Sequence, residues 1–89
     1  MTEEQLKELV LKTLGTVAPD VDLASVASDM EFRDQFDFDS MDFLNFIIGL
    51  HKALEIEIAE VDYPKLGTLN GCISYLQEAL SQRAKSSPG

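Results

Sequence analysis

Chemistry in this 89-residue chain would centre on one serine with an acid close on either side, Asp39-Ser40-Met41-Asp42. A serine becomes a nucleophile only when a neighbouring base takes its proton. The single histidine, His51, lies eleven residues further along. In a helix that separation is about 16 Å, at about 1.5 Å of rise per residue. His51 therefore reads as a surface residue and not as part of a Ser-His-acid triad. Asp39 stands where a helix N-cap belongs, and Asp42 follows three residues later, where a carboxylate can reach back to the N–H groups of the first turn. Both acids also sit at the positive end of the helix dipole. The hydroxyl of Ser40 is thus presented to water without being activated, which points to a serine that is modified and not one that catalyses.

Other chemistries fail on their spacing. Asp37-x-Asp39 opens like a calcium loop, but the sixth position is Asp42 instead of glycine and the twelfth is Ile48 instead of glutamate. The chain has no Cys/His cluster for zinc and no glycine-rich loop for a phosphate. Cys72 is the only cysteine, so no internal disulfide is possible, and it reads as a small buried hydrophobe on the last helix. A net charge of −9 argues against direct nucleic-acid binding. The acids concentrate around the serine: from Asp20 to Asp42 there are eight acids and one base, Arg33. Such a stretch keeps a protein soluble, and beside Ser40 it also suits steering of a basic partner. No apolar run approaches the roughly 20 residues of a membrane span. The acidic N-terminus has no secretory h-region, so the expected compartment is the cytoplasm.

The elements that must position Ser40 are helical. Leu6, Leu9, Val10, Thr13 and Leu14 form one stripe, predicting a helix over residues 3–14, capped by Thr2 and closed by a left-handed Gly15. Residues 16–38 lose all periodicity, apart from a short helical turn near Leu23 to Ala27. Their scattered apolar residues are expected to pin a long loop across a bundle. A second helix runs over residues 40–54, with Leu44, Ile47, Leu50 and Leu54 inward and Phe43 and Phe46 on the flanks. Met41, Asn45, Ile48 and Lys52 share another stripe, which reads as a docking face. Gly49 inside this helix serves close packing or room for a ligand. A short helix is expected over residues 61–65, with Pro64 tolerated in so short an element. A last helix follows over residues 69–82, capped by Thr68, with Leu69, Cys72, Ile73, Leu76, Ala79 and Leu80 inward. Gly71 is a weak point within it. The prediction is an all-α small four-helix bundle, three longer helices and one short one, with a long first loop. One domain covers residues 1–84, and residues 85–89 form a flexible tail.

Asp39-Ser40-Met41-Asp42 resembles the Asp-Ser-Leu signature of acyl carrier proteins, in which the serine carries phosphopantetheine. The resemblance extends over residues 3–80, through the opening helix, the long loop, the apolar helix that begins at the serine, Glu57-Ile58 and the closing helix. Phe32 and Phe36 match the family's apolar loop anchors, and Leu44, Ile47, Leu50 and Leu54 match the core face of its second helix. The resemblance implies a 4'-phosphopantetheine attached covalently to Ser40 by a phosphopantetheinyl transferase. It implies a monomeric carrier without enzymatic activity, which holds acyl groups as thioesters and shelters or delivers them to acyl-transferring or acyl-activating enzymes. Asp39, Met41, Asp42, Asn45, Ile48 and Lys52 would make the docking face. Carriers of fatty acid synthesis bear acids where this chain has Asn45 and Lys52, and a glycine where it has Asp37. Those departures favour a specialised acyl or polyketide pathway over generic fatty acid synthesis. Two alternatives stay open: a peptidyl or aminoacyl carrier, and a helical interaction domain that needs no cofactor.

Overall fold

The computed structural model describes residues 2–86, with side chains through residue 82. Thr2 starts the first helix, α1 (Glu3–Val17): its Oγ1 accepts from the Gln5 N–H at 3.1 Å while the Thr2 N–H donates to Gln5 Oε1 at 2.9 Å. Leu6, Val10, Thr13 and Leu14 are buried, the stripe expected from their spacing. The expected left-handed stop at Gly15 is wrong. The helix runs through Gly15 and stops only at Ala18, whose N–H donates to the Leu14 carbonyl at 2.8 Å. Ala18 precedes Pro19, and a residue before proline is driven out of the helical region. Gly15 serves packing instead, since a Cβ there would lie 3.2 Å from Leu23 Cδ1 on the loop that folds back over α1.

That loop is secured by polar side chains as well as by its apolar ones. Asp22 caps a 3-10 turn at Leu23–Ser25, accepting from the Ala24 N–H and the Ser25 hydroxyl. The Gln35 amide spans the next bend. Its Oε1 accepts from the Ala27 N–H at 2.7 Å, and its Nε2 donates to the carbonyls of Ala27 and Met30. Gln35 ends a one-turn helix, α2 (Phe32–Gln35), which the irregular spacing of this region did not predict. Two backbone bonds fasten the loop to the far side of the bundle: Phe32 N–H to the Gly67 carbonyl and Asn70 N–H to the Ser28 carbonyl, both at 2.9 Å. Buried backbone groups in a long loop need such partners.

Helix α3 (Ser40–Leu54) has the predicted limits, but its inward face is shifted. Phe46 is fully buried and Leu44 is 39% exposed, the reverse of the expectation. The reason is aromatic packing. Phe46 stands edge-on to Phe32 and to Phe38, with ring centroids 5.6 and 6.1 Å apart, so the loop's aromatics draw it into the core. Gly49 gives α1 close access, because a Cβ there would come 2.7 Å from Thr13 Cγ2. The short helix expected at residues 61–65 is present as a 3-10 segment over Glu60–Leu66. It packs on α4 (Leu69–Ser86), where the Tyr75 hydroxyl donates to Asp62 Oδ2 at 2.9 Å and Lys65 pairs with Asp62 at 3.2 Å. Tyr75, and after it Lys65, hold the Asp62 carboxyl below its usual range. A lowered folded-state value means that this tie is complete above the ordinary carboxylate range and is lost as pH falls through the lowered one.

Thr68 caps α4 as predicted, accepting from the Gly71 N–H at 2.9 Å. Leu69, Cys72, Ile73 and Leu76 are buried, and Ala79 and Leu80 lie half-buried against them. Helix α1 packs on both α3 and α4, and no strand occurs among the described residues. The last helix continues to Ser86, beyond the end expected at residue 82 and past the tail boundary at residue 84. The rest of the expected tail, residues 87–89, lies outside the described residues. The all-helical bundle of three longer helices and one short one, with a long first loop, is the predicted fold.

Two substitutions test this packing. Phe46→Ala should cost about 3–5 kcal/mol, the range for removing a buried aromatic, whereas Leu44→Ala should cost about 1 kcal/mol or less. Urea denaturation of both variants measures the difference, and equal losses would mean that Leu44 is in the core. Gly71→Ala tests a backbone approach. Helix propensity alone would make it stabilising by about 1 kcal/mol. A Cβ at Gly71, however, would lie 2.2 Å from the Lys65 carbonyl oxygen, and backbone cannot swing aside as a side-chain tip can. The melting temperature should therefore fall, and a rise would show that the 3-10 segment moves away freely.

Candidate functional site

The site is built by the junction between the acidic loop and α3. Phe38 is buried against Phe32, Phe36, Phe43 and Phe46, with centroid distances of 5.4–6.2 Å, and each of these contacts is tilted edge to face. With that ring fixed, Asp39 takes an extended conformation and caps the helix. Its Oδ1 accepts from the Asp42 N–H at 2.9 Å, and Asp42 Oδ2 accepts from the Asp39 N–H at 3.4 Å. This is the reciprocal box that the spacing suggested. Ser40 is the first helical residue and is exposed. Its hydroxyl has no hydrogen-bond partner among the described residues.

The residues that could have activated or rivalled Ser40 are committed elsewhere. His51 is exposed at the far end of α3, where its Nδ1–H donates to the Ile56 carbonyl beyond the helix terminus. A carbonyl only accepts, so that contact fixes the ring's proton on Nδ1. The expectation of a surface residue holds. Cys72 is buried on α4, its Sγ 3.3 Å from the Leu66 carbonyl, and burial pushes the thiol well above its usual range. It stays a neutral thiol and offers no nucleophile. Among the described residues no group of acids, histidines and cysteines could hold a metal ion, and no helix is long and apolar enough to cross a membrane.

Six residues besides Ser40 were expected to form a docking face. Asp39, Met41 and the half-buried Asp42 surround the serine in the first turn, and Asn45, Ile48 and Lys52 continue along the exposed side of α3. Met41 is 65% exposed and Ile48 39%. Leu44 joins them, three residues beyond Met41 and four before Ile48, so the stripe carries three large apolar residues. The periodicity of α3 hid Leu44, because most positions of that helix are apolar and two inward faces were available. A second feature, also missed, is a cleft of about 400 Å³ beside the serine. Ser40, Phe43 and Arg33 border it, with Tyr63 and Pro64 of the 3-10 segment opposite. Arg33's place as the only base in its acidic stretch was the available signal.

This arrangement suits a phosphate ester. It offers an exposed hydroxyl free of other bonds, a rigid helix end whose N–H groups favour an anion, and open space next to it. The two aspartates partly oppose that charge.

The chain matches the phosphopantetheine attachment site family over residues 4–76. It is 30% identical over 77 residues to an acyl carrier protein of Zymomonas mobilis subsp. mobilis, a match covering 86% of this chain and 92% of that protein. Both matches take in most of the helical bundle. A family match over most of the chain, joined to an all-helical fold that presents a free serine at a helix start, places it among the acyl carrier proteins: the chain belongs to the phosphopantetheine attachment site family, whose members carry a covalently attached 4'-phosphopantetheine.

Proposed function

We propose that Ser40 is the attachment point of the 4'-phosphopantetheine, and that the loaded chain carries acyl groups for a specialised acyl or polyketide pathway. The observation that carries this reading is the Ser40 hydroxyl itself, exposed, unpartnered and held in the first turn by the Asp39–Asp42 box. A phosphopantetheinyl transferase esterifies it, taking the group from coenzyme A and supplying the base that Ser40 lacks. Once attached, the group supplies a flexible thiol that holds acyl groups as thioesters. The chain contributes position and recognition and performs no catalysis. It acts as a cytoplasmic monomer.

Recognition falls to α3. Asp39 and Asp42 draw the transferase's basic groups toward the serine, and Met41, Leu44 and Ile48 provide apolar contact behind them. Apolar anchors with a charged surround are the usual layout of a small docking patch. Asn45 and Lys52 lie on the same side and choose among partners: a basic patch that seeks acids here meets a neutral side chain and a cation.

Ser40→Ala should abolish loading while leaving the fold intact, with a stability change within about 0.5 kcal/mol, as for other exposed positions. Intact mass after treatment with a broad-specificity phosphopantetheinyl transferase reads the loading, and circular dichroism reads the fold. Loading that persists in the variant would move the attachment site elsewhere.

The selective role of α3 has its own test. Replacing Asn45 and Lys52 together by Glu should speed acyl transfer onto the loaded protein by a standard fatty acid transacylase, most clearly at low salt where exposed charges are least screened. Loading by the transferase should change much less, because it centres on Asp39 to Asp42. Equal transfer rates for parent and double variant would remove Asn45 and Lys52 from partner choice.

A further inference from the structure

Resting on Ser40 as the attachment point, we propose that Arg33 is a positioning residue for the prosthetic arm: its guanidinium pairs with the phosphodiester on Ser40 and lays the adjoining part of the arm along the Phe43–Tyr63 wall of the neighbouring cleft.

Charge makes the case first. Ser40 lies in a stretch with eight acids and one base, and a phosphodiester there adds a further negative charge. The helix end gives it limited relief, since the Asp42 N–H is already taken by the Asp39 carboxylate. Arg33 is the only cation among the residues that line the cleft, it is exposed, and it makes no ion pair with the described residues. Neither of the two acids that line the cleft forms an ion pair with Arg33 among the described residues. Asp39 caps α3, and the Glu31 carboxylate lies over Gly67, where a Cβ would come 2.3 Å from its Oε2. An arginine with no partner, beside an anion attached to Ser40, offers the planar fork that phosphate oxygens accept.

Shape supplies the second part. The cleft holds about 400 Å³ and is open to solvent above. Its floor is closed by the buried rings of Phe32 and Phe38, packed edge to face at 5.9 Å, so a group entering from Ser40 cannot sink into the bundle at this point. Its wall is the half-buried pair Phe43 and Tyr63, with centroids 6.0 Å apart. The part of phosphopantetheine next to the phosphate bears two methyl groups on a quaternary carbon, which an aromatic wall can cover. Arg33 sits in the one-turn α2, whose Phe32 is anchored in the core and whose Gln35 is tied to the loop by three hydrogen bonds, so its backbone is well placed.

NMR of the loaded protein tests the proposal. The parent should show NOEs from the two methyl groups of the arm to the Phe43 and Tyr63 rings at low salt. These should weaken as salt is raised to roughly 0.5 M, where the screening length shrinks to a few ångströms. Arg33→Gln should lower the ratio of docked to free arm by about two- to fivefold, the effect of one exposed charge pair. It should also shift the phosphorus resonance and remove the salt dependence. Arg33→Lys should restore part of the ratio, since it keeps the charge without the fork. A merely structural role for Arg33 would disturb the amides of α2 and leave the salt dependence in place. Absence of methyl-to-ring NOEs in loaded parent protein, or identical NOEs and phosphorus shift in loaded Arg33→Gln protein, would overturn the proposal. The salt series needs only the parent, so the proposal is decided even where a variant loads poorly. A parent protein whose intact mass shows no arm on Ser40 would overturn the attachment assignment itself, a result distinct from an arm that is attached but undocked.

Discussion

Phe38 has to be buried, while its neighbours Asp37 and Asp39 have to stay in water. An extended backbone meets both demands by alternation, and it places Asp39 with its side chain free at the point where a helix can begin. The Phe38 ring touches four other phenylalanines, two from the loop and two from α3. Each such contact adds about 0.5–1.5 kcal/mol to what burial alone supplies. The start of α3, and with it the exposure of Ser40, depends on this ring. Were Phe38 to slip by one residue, an aspartate would enter the core, and an unpaired buried carboxylate is far costlier than any loop rearrangement.

The same cluster explains how a mostly apolar helix chooses its faces. Phe46, Ile47, Leu50 and Leu54 turn inward because loop aromatics and α1 await them there. Met41, Leu44 and Ile48 are left outside in a row. Single exposed apolar residues are ordinary. Three on one stripe, beginning next to a free serine, make a contact surface with an attachment point at its end. Recognition and attachment are thereby built into one rigid element, and the loop needs only to hold that element's first turn in place.

Around this centre the chain is held by close backbone approaches that only small residues allow. Gly49 lets α3 meet the Thr13 methyl of α1, and Gly71 lets α4 meet the Lys65 carbonyl in the last turn of the 3-10 segment. The two acids of the capping box act on the helix and on the serine's surroundings at once. They secure the first turn, and they also surround Ser40 with negative charge that a phosphate ester has to tolerate. A small bundle has few residues to divide between such tasks, so the same side chains serve stability and function.

The number of long helices, the apolar stripes of α1 and α4, the limits of α3 and the Asp39 cap before Ser40 were all legible in the sequence. Each rests on local periodicity and on hydrogen bonds spanning three or four residues, which neighbours along the chain decide among themselves. The exposed, unactivated serine and its resemblance to carrier proteins followed from the same short range. Which of Leu44 and Phe46 faces inward was not legible, because both lie on plausible stripes and the choice belongs to Phe32 and Phe38, which reach α3 only after the loop has crossed the bundle. The role of Gly15 was misread for a related reason. A glycine at the end of a periodic stretch signals a stop, whereas here it admits Leu23 of the loop that folds back over α1. The cleft that joins Ser40, Arg33 and Tyr63 exists only where the loop and the start of α3 meet the 3-10 segment some twenty residues further on. Periodicity reports on one helix at a time, and that convergence is set by tertiary packing alone.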